Sequence, residues 1–198
     1  MEVSALAYRL REYPTLFATS RERFDFLNTV APVFFRMLFE SLWGDMLMHL
    51  TRVTGPSTTG WGENQFHNLT LQRLPGLVDA AFRNEVTAAV TAAVAAAAFA
   101  EPGRNKVYAH TDLGVVKDLE GSEIVLGSIN EMDEAIARAE LALDAVARNY
   151  GINRGTYYDN TGWGVAEDLV QTPEAGVKAQ PSGIAARMVA IHRGGSND

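Results

Sequence analysis

Between Phe24 and Leu50, apolar residues recur at 24, 27, 31, 34 and 38, with a second row at 35, 39, 42, 43, 46, 47 and 50. Steps of three and four are the period of an α-helix, whereas a strand would alternate every second residue. The two rows together cover more than one stripe, so this segment predicts a central helix with partners on more than one side. Thr19-Ser20-Arg21-Glu22 opens it as a capping box, with the Thr19 hydroxyl and the Glu22 carboxylate three residues apart. The helix is expected to reach Thr54, and Pro32 inside it predicts a kink or a boundary near Val30. Its Phe, Trp and Met residues are expected to pack in the core.

Thr54 to Asn68, with three glycines and one proline, reads as a loop. A helical turn restarts near Asn68–Leu71, and a further helix is expected from Pro75 or Leu77 to Ala100. Val86, Val90 and Val94 form an i, i+4 row flanked by alanines, which permits close approach of another helix. Glu101-Pro102-Gly103 is expected to interrupt it. Ser128-Ile129-Asn130-Glu131 is a second capping box, opening a helix to about Tyr150 with Ile136, Leu143 and Val146 inward and Gly151 as its cap. Glu123–Leu126 reads as a short extended piece, and two short helix-like segments, 164–170 and 183–192, follow in the tail. The expected fold is all-α: an antiparallel helical bundle of about four to five main helices over residues 1–151, with a C-terminal extension over 152–198.

Composition excludes several chemistries. The 198 residues include no cysteine, so thiol nucleophiles, disulfides, zinc–thiolate sites and iron–sulfur clusters are ruled out. The four histidines, at 49, 67, 110 and 192, lack the close spacing of a zinc site, and neither a metal nor a cofactor is expected. Val86–Ala100 is short and alanine-rich for a bilayer span, and charges fill the N-terminus where a signal peptide needs an apolar run; a cytoplasmic protein without membrane contact is expected. The net charge is −7, from 17 Lys+Arg and 24 Asp+Glu. Residues 118–144 carry the whole excess, with eight acidic side chains against Arg138 alone. This disfavours a large nucleic-acid-wrapping surface but not a compact phosphate site.

One stretch concentrates chemistry: Arg104-Asn105-Lys106-Val107-Tyr108-Ala109-His110-Thr111-Asp112. Arginine offers phosphate oxygens a fixed fork of donors. Histidine takes and gives protons near neutrality, and asparagine can orient either one. Six residues at 100° each set His110 about 120° around a continuous helix from Arg104, so the two converge on one phosphate only if the helix ends between them or a second subunit contributes.

Arg104-Asn105, four residues, then His110 resembles the signature of the HEPN superfamily, and the run Arg-Asn-Lys-x-x-Ala-His-x-Asp is the form common in its bacterial members. Upstream, Leu42-Trp43-Gly44-Asp45, Leu50-Thr51-Arg52-Val53-Thr54, a Gly-rich loop and Asn68-Leu69-Thr70-Leu71 look like the branch associated with phage abortive infection, the Abi U-two-like group. The resemblance covers roughly residues 5 to 150. It implies a homodimer whose Arg and His motifs face one cleft, and a metal-independent endoribonuclease acting on RNA as a toxin or defence effector. Carried over by position, Arg104 and His110 are the catalytic pair, Asn105 arranges them, and Lys106 contacts RNA. It also leaves open a non-catalytic dimer that binds RNA, nucleotide or a protein partner, and a toxin–antitoxin pair with an antitoxin protein as partner. Among the remaining residues, His49 reads as a polar contact one turn after Asp45. His67 and Trp61 either line a cleft or close their loop. Tyr157, Tyr158 and Trp163 read as anchors of the tail, and His192 has no inferred role.

Overall fold

The computed structural model describes residues 2–62, 64–104 and 127–152. Nine segments of regular backbone among the described residues precede the chemistry-bearing stretch, and their boundaries follow from a few local constraints. Helix α1 spans Glu2–Phe17, α2 spans Arg21–Val30 and α3 spans Pro32–Thr54. The expected boundary falls at Ala31, which leaves helical angles (φ −154°, ψ 69°) ahead of Pro32, where a helical conformation is disfavoured. Pro32 then occupies the first position of α3, where its missing N–H has no helical partner to lose.

The N-cap of α2 is displaced by one residue from the expected one. Ser20, not Thr19, accepts from the backbone N–H of Arg23 at 3.1 Å. Thr19 instead donates its hydroxyl back to Thr15 O at 2.9 Å, closing the end of α1. Glu22 hydrogen-bonds its own backbone amide and then Ser20, and those bonds hold its carboxyl below the ordinary carboxylate value.

After α3 the predicted loop contains a short antiparallel ladder, β1 (Thr58–Thr59) with β2 (Phe66–His67), paired Thr58 to His67 and Thr59 to Phe66. Gly60 sits between them at φ +93°, a conformation that glycine adopts without strain. A 3₁₀ turn at Leu71–Arg73 leads into the one-turn helix α4, Leu74–Leu77. The expected start at Pro75 or Leu77 belongs to this short turn. The long helix α5 begins later, at Arg83, because Val78 turns extended (ψ 158°) and the chain must restart. Helix α5 runs to Ala96, α6 covers Ala100–Gly103, and α7 covers Ile129–Asn149. The architecture is an all-α bundle bearing only this small two-stranded ladder among the described residues.

The chain divides into two compact units, Met1–Arg11 with Arg36–Thr161, and Glu12–Phe35 with Gly162–Asp198. In the second, the described core residues are Tyr13, Leu16 and Leu27, with an edge-on Tyr13–Phe17 ring pair. In the first, Leu6, Met46, Leu47, Leu50, Val86 and Met132 are fully buried. Helix α1 is tied to α3 by a polar chain. Arg9 pairs with Asp45 at 2.5 Å, Asp45 faces His49 at 3.4 Å, Arg52 donates to His49 Nδ1 at 2.8 Å, and Arg52 pairs with Glu2 at 2.8 Å. His49 is thus the polar contact that its spacing suggested.

The apolar rows of α3 divide in two. Trp43, Met46, Leu47 and Leu50 are buried as expected, but Phe34, Met37, Phe39 and Met48 are exposed, as is Phe24 on α2. A helical period alone does not determine burial. Among the described residues, burial along α3 begins at Trp43.

Helices α5 and α7 form the principal packed pair. They run antiparallel, since Glu85 at the start of α5 meets Arg148 (2.7 Å) and Asn149 (3.1 Å) at the end of α7. Their facing surfaces are small. Val86, Val90 and Ala93 are buried on α5, and Met132, Ala135, Ile136, Ala139, Ala142, Ala145 and Ala147 on α7. Alanine, rather than the expected Leu143 and Val146, supplies most of the buried stripe; those two are half-buried. Both ends of α7 are closed as the sequence predicts. Ser128 and Glu131 make a complete capping box. Gly151, at φ +62°, and Ile152 donate to Arg148 O (3.3 Å) and Ala147 O (2.8 Å), the paired bonds of a Schellman motif. The expected extended piece at 123–126 and the tail segments, with Tyr157, Tyr158, Trp163 and His192, lie outside the described residues.

Two outcomes follow. Ala139→Leu adds three carbons at a fully buried position of α7 and should destabilise the protein by about 1–3 kcal/mol in a denaturant titration. The second concerns acid stability. The Asn149 hydrogen bond, opposed by slight desolvation and joined by Arg148, lowers the Glu85 pKa from its ordinary value of 4.5. A carboxylate lowered in the folded state stabilises at pH above its unfolded pKa, and that contribution is lost as pH falls through the folded value. Glu85→Gln should therefore flatten the loss of thermal stability measured as pH is lowered from neutrality through 4.5.

Candidate functional site

The approach to Arg104 decides whether its side chain is presented or swept aside. Helix α5 tightens at its end: Ala97 N–H bonds to Ala93 O at 3.1 Å, Ala98 to Ala95 O at 3.3 Å and Ala100 to Ala97 O at 3.0 Å. The helical path then resumes in α6. The interruption expected at Glu101-Pro102-Gly103 lies instead at residues 97–99, and those three residues are themselves helical. Pro102 is tolerated because it sits in the first turn of a restarted helix, where no backbone N–H is required. Arg104 follows with helical angles (φ −59°, ψ −48°), its N–H directed to Ala100 O and Glu101 O. The Pro-Gly pair therefore does not break the backbone that presents Arg104.

Arg104 is half-buried and lines a cleft of about 190 Å³. One wall comes from the end of α3 and the chain just after it: Thr51, Thr54, Gly55 and Pro56. The other comes from α5 and α6, with Val94, Ala97 and Ala98 as apolar surface and Glu101 beside Arg104. Gln72 completes it from the 3₁₀ turn.

Hydrogen bonding fixes this lining. Gln72 donates through Nε2 to Thr54 O at 2.8 Å, which pins its carboxamide against the C-terminus of α3. The Thr54 hydroxyl donates to Leu50 O at 2.8 Å, and the Thr51 hydroxyl is shared between Leu47 O (3.0 Å) and Met48 O (3.1 Å). Both hydroxyls have thus committed their protons to the helix and present lone pairs only. The Glu101 carboxylate, on an exposed residue, lines the cleft without a hydrogen bond or ion pair of its own among the described residues. Gly55 is required by close approach: a Cβ there would lie 2.6 Å from Thr51 O.

Of the residues singled out by sequence, Arg104 stands in this cleft, while Asn105, Lys106 and His110 lie outside the described residues. Trp61, 92% exposed, and His67, paired in the small ladder, are not among its lining residues. Glu101, Gln72, Thr51, Thr54 and Gly55 escaped attention as site residues. The readable signal was the spacing of Thr51 with Thr54 and of Glu101 with Arg104, which sets each pair on one face of a helical turn. Among the described residues no group of three or more His, Asp or Glu is placed to hold a metal, and no helix is long and apolar enough to cross a membrane.

Gly55→Ala should lower stability by about 1–3 kcal/mol in thermal or denaturant unfolding, because the added methyl meets backbone rather than a yielding side chain.

The family model HEPN_AbiU2, described as AbiU2, matches residues 2–161, about four-fifths of the chain. No curated protein matches, and no solved structure matches.

Proposed function

The chain belongs to the AbiU2 family of HEPN-type abortive-infection proteins, and on that premise we propose that it is a metal-independent endoribonuclease. The observation that carries the reading is the presentation of Arg104. It leaves a restarted helical turn at the wall of a cleft with one hydrogen-bonding rim and one apolar face. A guanidinium so held offers a phosphate two parallel donors.

In the reaction, His110 takes the proton of an RNA 2′-hydroxyl, and the 2′-oxygen attacks the adjacent phosphorus. The bond to the 5′-oxygen breaks, and that oxygen receives a proton from a second acid, for which the His110 of a paired protomer is available in a homodimer. Arg104 neutralises the charge gathering on the phosphate oxygens in the transition state. Asn105 orients the pair, and Lys106 adds a point charge for the RNA backbone. The products are a 2′,3′-cyclic phosphate and a 5′-hydroxyl. The RNA supplies its own nucleophile, so the scheme needs neither a protein nucleophile nor a metal.

The test is cleavage of single-stranded RNA in excess EDTA. Arg104→Ala and His110→Ala should each lower the rate by about 10²–10³-fold while leaving the thermal transition in place. Wild type that binds RNA without cleaving it would instead favour a non-catalytic RNA-binding dimer. Equal cleavage by the variants would remove both residues from the chemistry.

A further inference from the structure

The cleft beside Arg104 has a polarity that its volume and shape turn into a selection. Its lining is rich in acceptors and poor in donors. Thr51 and Thr54 present lone pairs only, because both hydroxyl protons are held by the helix. Glu101 brings two carboxylate oxygens without a hydrogen-bond partner among the described residues. Gln72 has one N–H committed to Thr54 O, leaving one donor and one acceptor on the same carboxamide. Apart from Arg104, that single amide proton is the donor the lining side chains offer. The remaining surface, from Val94, Ala97, Ala98 and Pro56, is apolar.

At about 190 Å³ the cleft is smaller than the usual pocket of a whole nucleotide-sized ligand, and suits a planar ring inserted alone. Glu101 and Arg104 are three residues apart, about 5 Å along a helical axis. A base lodged against Glu101 therefore leaves its own phosphate within reach of Arg104.

Resting on the reading of RNA as the substrate, we propose that this cleft seats a guanine base, held by Glu101 and Gln72, next to the phosphate that Arg104 engages. Guanine carries two adjacent donors, N1–H and the N2 amino group, which match the two oxygens of one carboxylate. Its O6 accepts the remaining Gln72 N–H. Adenine places the N1 lone pair against the carboxylate, and cytosine places N3 there. Uracil has one imino proton between two carbonyl oxygens, and so turns a carbonyl toward Glu101. Each of these leaves acceptor facing acceptor, a mismatch that a site built to accept guanine's two donors disfavours. The apolar wall supplies the flat contact on which the ring lies.

The experiment measures calorimetric binding of 5′-GMP, AMP, CMP and UMP to the His110→Ala protein, with and without Glu101→Gln. His110→Ala alone should bind GMP about ten-fold more tightly than AMP, the discrimination expected of one bidentate base contact. Glu101→Gln, nearly isosteric at an exposed position, should abolish that difference by weakening GMP and not AMP. Circular dichroism reports whether the variant is folded, and Glu101→Asp, which shortens the reach but keeps the charge, provides a second variant expected to retain part of the preference. Equal affinity for the four nucleotides, or a GMP preference untouched by Glu101→Gln, overturns the proposal. Mapping the cleavage sites of wild type separates the two claims. Cleavage without regard to guanine sinks the base site and leaves the ribonuclease standing. Guanine-selective binding with no cleavage supports the base site and removes the ribonuclease.

Discussion

The close packing of α5 against α7 is the constraint on which the rest of the first unit depends. Alanine at positions 135, 139, 142 and 145, opposite Val86, Val90 and Ala93, lets two helices approach with few side-chain atoms between them. Such contacts draw stability from dense dispersion contact more than from large buried side chains, and they tolerate little added volume. The pair is fastened at both ends. Glu85 binds Arg148 and Asn149 at one. At the other, Gly127 lies so close to the Phe99 ring that a Cβ would stand 2.2 Å from it. Phe99 directly precedes α6, so this contact joins the start of α7 to the turn that leads to Arg104.

That coupling accounts for the position of the cleft. The end of α3 reaches it through Thr51 and Thr54, held by Gln72 at one side, and the end of α5 reaches it through Glu101 and Arg104. Among the described acidic residues, Asp133, Glu134 and Asp144 are exposed on α7, outside its buried alanine stripe. A negative helix face repels RNA, so the charge that makes the whole chain acidic also narrows the directions from which a polyanion approaches.

How much of this was legible in the sequence depended on how local each cause was. The Ser128 capping box, the Gly151 cap and the Pro32 boundary are set by neighbours within a few residues, and each stands where the sequence places it. The first capping box slipped by one residue because two adjacent hydroxyls compete, and the Thr19 proton is drawn back to Thr15 O. The start of α5 was misplaced because Leu74–Leu77 satisfies helical propensity for a single turn before Val78 turns extended. The exposed Phe34 and Phe39 have the period of core residues, and period alone does not set burial. At the site, Arg104 was found through its motif. Glu101 stands beside a Pro-Gly pair that reads as a helix breaker, and Gln72 carries no sequence signal because its role rests on a backbone carbonyl eighteen residues away. Asn105, Lys106 and His110 remain assignments by sequence alone.

The central claim, that a 2′-hydroxyl is the nucleophile and Arg104 and His110 serve it, is tested most directly by the chemistry of the cut ends. RNA cleaved by the purified protein should carry a 2′,3′-cyclic phosphate on the upstream fragment and a free 5′-hydroxyl on the downstream one. A 3′-hydroxyl with a 5′-phosphate would mean that water attacked instead, and would contradict the account.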